Sequence, residues 1–157
     1  MHLSDLYESL NGLLVRLFNH IMTIEEKALI IDAFKDISIT DMHVIEAIGY
    51  DTARNMSAIA QDLDVTVGTL TIAINNLVKK EYVRRVRSAK DKRVVLVSLL
   101  PKGQAAYLHH MEFHKEMVDN IIKMLKPEEA EVLNSALHQL ERYFDATYKA
   151  AQRTSGK

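Results

Sequence analysis

The stretch from residue 55 to residue 99 constrains the fold of this chain most. Asn55 or Ser57 can cap a short helix that turns Met56, Ile59, Ala60 and Leu63 inward. Asp64 and Val65 interrupt it, and Thr66 can cap a second helix running to about Lys80. Two helices of these lengths, joined by so short a turn, form a helix-turn-helix. The pattern then changes. Residues 83–87 read as one strand, the β-branched and apolar run 94–99 as its partner, and Ser88 to Lys92 as a polar hairpin tip. A helix-turn-helix followed by a basic hairpin is a winged helix.

Helices flank this unit. Residues 2–31 read as one long helix in which Leu3, Leu10, Leu17 and Ile24 recur every seven positions. Leu6 and Leu13 form the second line of the seam, and His20 takes its next position. Such a stripe faces either a core or another subunit. Leu14, Phe18, Ile21 and Met22 widen it, so more than one partner helix is needed. Thr40 or Ser38 can cap a helix through Met42, Val44, Ile45 and Ile48 that stops near Gly49. Pro101 can open a further helix, and Pro127 a last one whose first turn carries Glu128 and Glu129. The expected class is mainly α with a small β-hairpin wing. Residues 34–100 form the winged helix-turn-helix, and residues 1–33 and 101–157 form a helical dimerisation layer.

The chain's 20 basic and 21 acidic side chains give a net charge of −1, which at first argues against a polyanionic partner. The total averages two unlike parts. Residues 79–93 hold eight basic side chains against two acidic ones, and the remainder is correspondingly acidic. Phosphates need cations along a line, and a hairpin tip fits a minor groove. Arg87, Lys90, Lys92 and Arg93 are the candidates there, with Asp91 placed to hold the Arg93 guanidinium in one pose.

On a helical wheel, Val67, Leu70, Ile74 and Leu77 of the second helix fall together and should pack inward. The opposite side presents Gly68, Ile72, Asn75, Asn76 and Lys79, with Thr69 at its edge. Gly68 allows close approach of the backbone to DNA. Asn75 or Asn76 can bridge an adenine edge, and Ile72 can touch a thymine methyl. Thr66 and Thr69 suit phosphates at the helix N-terminus.

Other classes fall away. The absence of cysteine excludes disulfides, thiolate zinc sites and thiol redox sensing. No apolar run approaches a membrane span, and the N-terminus lacks a signal-peptide pattern, so a cytoplasmic address and no membrane partner are expected. No phosphate-cradling glycine loop and no nucleophile–base or paired-carboxylate arrangement stands out, so no enzymatic activity is expected.

The stretches MSAIAQDLDVTVGTLTIAINNLVKKEYVRRV and SAKDKRVVLVSLLPKG resemble the MarR family of dimeric bacterial regulators. Asp91-x-Arg93 and the closing Pro101-Lys102-Gly103 are the specific parts. Within that family, residues 34–49, 65–77, 82–95 and 113–122 look most like the fatty-acid-synthesis repressors of Gram-positive cocci, the FabT type. The resemblance implies a homodimer on a palindromic operator in fatty-acid-synthesis promoters. It also implies long-chain acyl-acyl carrier protein as co-repressor, with its acyl chain in an apolar pocket. Many family members carry glycine at the position of Glu81 and arginine at that of Ile72. The second departure implies a different base preference, for which an A·T-rich half-site is expected.

Phe18, Met22, Met42, His43, Met111, His114 and Met117 are the candidates for lining an effector pocket, because methionine adapts to a flexible chain. A rival expectation is a zinc-responsive repressor. His110 and His114 stand one helical turn apart, and His43 and Glu25 complete a candidate ligand set. A related group of family members senses zinc with histidines and a glutamate in comparable places.

Overall fold

The computed structural model describes residues 3–29 and 33–155. Residues 2, 30 and 31, the ends of the expected first helix, lie outside the described residues. The elements in chain order are α1 (Leu3–Leu29), α2 (Ile39–Ile48), β1 (Ala53–Asn55), α3 (Met56–Asp62) and α4 (Val67–Lys79). They continue with β2 (Val83–Arg87), β3 (Val95–Leu99), α5 (Pro101–Met124) and α6 (Pro127–Ser155). The fold is mainly helical with a small antiparallel sheet, in the winged helix-turn-helix arrangement. The chain divides into two compact units, Met1–Phe113 and His114–Lys157, with the division falling inside α5.

Side chains set the helix starts. Ser38, not Thr40, caps α2: its hydroxyl accepts from the Asp41 N–H, and the Asp41 carboxylate accepts from the Ser38 N–H, each at 3.1 Å. Asn55, not Ser57, caps α3 by accepting from the Ala58 N–H at 2.8 Å. Thr66 caps α4 through the Thr69 N–H at 3.1 Å.

The ends of α3 and α4 share one device. After α3, the Asp64 N–H donates to Gln61 and the Val65 N–H to Ala60, with Asp64 left-handed at φ 54°. After α4, the Glu81 N–H donates to Val78 and the Tyr82 N–H to Leu77, with Glu81 at φ 63°. These are Schellman turns built without glycine. The first makes the tight turn of the helix-turn-helix, and the second turns the chain from α4 into the wing.

The sheet has the order β1-β3-β2. In the hairpin Val83 pairs with Leu99 and Arg87 with Val95, so the wing register is as long as the strands. The strand β1 escapes a reading of sequence pattern. It has only three residues and borrows its order from β3, pairing Ala53 with Ser98 and Asn55 with Leu96. β3 starts one residue later than expected, because the Val94 N–H donates to the Asp91 carbonyl and closes the tip.

The core of the first unit gathers Met42, Ile45 and Ile48 of α2, Ile59 of α3, and Leu70, Ile74 and Leu77 of α4. Tyr82, Val83 and Val97 complete it, all fully buried. Val67 departs from expectation and is 45% exposed. A side chain in a first helical turn leans back past the N-terminus, which here carries Val67 off the inward stripe. The Tyr82 hydroxyl donates to Asp36 at 2.6 Å, and Lys102 reaches the other Asp36 oxygen at 2.9 Å while lying over the Tyr82 ring. Along α1 the heptad leucines are exposed in the single chain. In the second unit, Val118, Ile121, Leu125, Leu133 and Leu137 line an apolar cavity of about 370 Å³.

Candidate nucleic-acid interface

The outer face of α4 carries an unusual surface for a helix. Ile72 is 73% exposed, and Gly68, Asn75 and Lys79 are exposed beside it. A Cβ built on Gly68 would meet only the Thr66 hydroxyl, at 3.8 Å. The fold itself therefore does not need glycine there. Between this face and the N-terminus of α2 runs a groove of about 680 Å³, lined by Ser38, Thr40, Asp41, Ile72, Asn75 and Lys79 among others.

The two neighbouring asparagines differ. Asn76 is half-buried, and its amide donates to Asp41 at 3.4 Å, tying α4 to α2. Asn75 points outward, and its oxygen accepts from Arg85 of β2 at 2.6 Å. Thr66 and Thr69 stand at the N-terminus of α4 with their hydroxyls 2.9 Å apart.

The wing tip is ordered by short polar contacts. The Ser88 hydroxyl accepts from the Lys90 N–H at 3.2 Å, and the Ser88 N–H donates to the Val94 carbonyl at 2.9 Å. Asp91 accepts from the Arg93 N–H at 2.9 Å and from its guanidinium at 3.3 Å. This leaves the Arg93 side chain 92% exposed but held at its root. Arg87, Lys90 and Lys92 are exposed around it. The structure thus groups Gly68, Ile72, Asn75 and Lys79 on α4 and the basic residues on the wing, with Asn76 half-buried in the same groove beside Asp41.

Sequence reading counted Arg85 only among the basic residues of the hairpin and as one possible carrier-protein contact, and took Ser38 and Thr40 only as helix caps, not as groove residues. Arg85 had a usable signal: strand alternation puts it on the face of Val83, which is buried against the core beside α4.

The candidate effector residues are spread over both units and differ in exposure. Met42 is a core residue, whereas Phe18 is 65% exposed on α1 and Met111 is exposed on α5. His114 and Met117 belong to the second unit.

The metal candidates do come together in part. The ligand atoms of Glu25, His43 and His110 lie within 4.8 Å of one another. His110 Nε2 is 3.2 Å and His43 Nε2 3.4 Å from the same Glu25 oxygen. Glu25 and His110 are only 5% and 3% exposed. Glu46 lies 3.5 Å from His110 Nε2, a neighbour that sequence reading did not single out. Imidazole nitrogen and carboxylate oxygen form a donor set that suits zinc.

A model of the family described as "Transcriptional regulator SarA/Rot" matches residues 27–111. The regulator SarZ of Staphylococcus aureus is 29% identical over 114 residues, covering 73% of this chain and 76% of SarZ. The crystal structure of Streptococcus pneumoniae FabT in complex with DNA is similar at 40% identity and a TM-score of 0.85, covering 89% of this chain and 98% of that one. The fold is also that of a mutant Escherichia coli MarR complexed with operator DNA, at 23% identity and a TM-score of 0.65, covering 89% and 99%. The chain belongs to the SarA/Rot family of transcriptional regulators and is a MarR-type winged-helix protein.

Proposed function

We propose that this regulator is a homodimeric, sequence-specific DNA-binding repressor of fatty-acid-synthesis genes, with long-chain acyl-acyl carrier protein as co-repressor. One observation carries the DNA reading: the exposed, unobstructed face of α4 stands beside a basic wing whose tip is pre-ordered by Ser88 and Asp91. α4 enters a major groove, with Gly68 permitting backbone approach and Ile72 and Asn75 meeting base edges. Arg87, Lys90, Lys92 and Arg93 neutralise phosphates and follow the minor groove. Thr66 and Thr69 meet phosphate at the N-terminus of α4.

The exposed apolar stripe of α1 supports a dimer, since a second copy would bury it. Two α4 helices about one DNA turn apart, ~34 Å, then read the two halves of a palindrome. The fatty-acid assignment rests on the likeness to FabT.

A second reading, a zinc-responsive repressor, is favoured by the buried Glu25–His43–His110 cluster. His43 also lines a small apolar cavity with Thr69 and Leu70, so a metal on His43 would act next to the start of α4.

The test is a gel shift on a fatty-acid-synthesis promoter at fixed salt, with and without acyl-acyl carrier protein, repeated across a zinc titration. The first reading expects binding that tightens with the acylated carrier protein and ignores zinc. Zinc-dependent binding that ignores the carrier protein, with metal lost from a His110→Ala variant, replaces it by the second. No shift under either condition sinks both.

A further inference from the structure

We propose that Arg85 determines which base edge α4 reads, by fixing the orientation of the Asn75 amide. The inference rests on the reading that α4 lies in a DNA groove. An asparagine amide presents an acceptor on one side and two hydrogens on the other. A flip of that amide exchanges what it recognises. A guanidinium has only donors, so the 2.6 Å contact from Arg85 Nη2 places the Asn75 oxygen toward the wing and the Nδ2 hydrogens away from it.

The backbone of Arg85 is fixed by strand pairing. It sits in the middle of β2, opposite Val97 of the central strand, which is fully buried. Val83, two residues away on the same face, is also buried. A side chain rooted on a paired strand positions its partner better than one on a loop. The neighbouring Asn76 has a different partner, donating to Asp41 at 3.4 Å.

Asn75 therefore offers a donor to the DNA, with one oxygen lone pair already engaged. Its Nδ2 hydrogens can donate to N7 or O6 of a purine or to O4 of thymine, and they find no acceptor on the amino group of cytosine. Arg85 is a positioning residue in this scheme and needs no base contact of its own. An alternative role, a plain phosphate contact, would act equally on every sequence.

The two roles separate in a selection from a randomised duplex library at fixed salt, using the full chain. Wild type is expected to disfavour cytosine opposite Asn75 at a symmetric position in each half-site by about a few-fold, because a single Nδ2 hydrogen bond discriminates less than a bidentate pair. Asn75→Ala should erase that preference. Arg85→Met should erase it at the same position while leaving preferences elsewhere intact, and the double variant should add no further loss there. Arg85 is exposed, and a thermal melt of Arg85→Met checks that the fold is kept. An Arg85→Met protein that keeps every base preference and binds all sequences more weakly, with a shallower salt dependence, overturns the proposal in favour of a phosphate contact. A wild-type protein that enriches no sequence overturns the DNA-reading role of α4 as well.

Discussion

Gly103 packs directly onto the backbone of Tyr82: a Cβ at residue 103 would lie 2.1 Å from the Tyr82 carbonyl oxygen and 3.1 Å from its carbon. The same carbonyl accepts from the Leu100 N–H at 2.9 Å, so it cannot swing aside without loss. Gly103→Ala is expected to destabilise the first unit by about 1–3 kcal/mol or more, as overpacking does. A denaturant midpoint measured at constant m-value checks this.

Asp36 joins Tyr82 and Lys102 and gives stability a defined pH dependence. Burial alone would raise the Asp36 carboxyl, but the hydrogen bond from Tyr82 and the ion pair with Lys102 hold it below its ordinary value. A depressed carboxyl contributes stability that is present above its unfolded pKa, ~3.9, and is lost as pH falls through the folded value. Burial and Asp36 together push the Tyr82 hydroxyl upward. Its contribution is present below ~10 and is lost as pH rises past that. Asp36→Asn should flatten the acid limb of a stability–pH profile, and Tyr82→Phe should flatten the alkaline limb. Unchanged limbs in both variants would remove the assignment.

Glu81 holds a left-handed conformation at the end of α4, with φ 63°. A non-glycine residue there costs roughly 1 kcal/mol or more, and glycine is the easier occupant of this place in a Schellman turn. Glu81→Gly is expected to raise the melting temperature, with a gain of about 1 kcal/mol. A lower melting temperature would mean that the carboxylate makes a compensating contact.

Gly68 separates stability from recognition. Its Cβ position is open, so Gly68→Ala should be neutral to stabilising by up to ~1 kcal/mol, the helix preference of alanine over glycine. DNA affinity should fall, because the added methyl blocks backbone approach to the groove. A variant that is more stable and binds as tightly as wild type would remove Gly68 from the interface.

Arg93 and Asp91 form an exposed pair whose worth to folding is small. Its effect should appear on DNA instead. Arg93→Ala should weaken binding and reduce the slope of log affinity against log salt by about one. Asp91→Ala should weaken binding less while leaving Arg93 its charge. Equal salt slopes for wild type and Arg93→Ala would place Arg93 off the DNA.

The winged helix was legible because each of its parts has a local cause. Thr66 satisfies the N-terminus of α4, Leu70, Ile74 and Leu77 recur on one face, and Val83 to Arg87 lies across a polar tip from its β-branched partner. Local chemistry also pointed to the Asp91–Arg93 contact. The three-residue strand β1 was not legible, since it has no pattern of its own and exists through pairing with β3. Val67 was misplaced because a wheel counts angles and ignores where a first-turn side chain leans.

By itself, the sequence determined every element but β1, the turns between them and the concentration of cations on the hairpin, all of which depend on neighbours a few residues apart. Only the tertiary structure decided that Asn76 turns to Asp41 while Asn75 is held by Arg85, and that Glu25, His43 and His110 converge. Those partners are separated by 10 to 35 residues or more along the chain. Their meeting is set by how helices and strands pack, which no local spacing encodes.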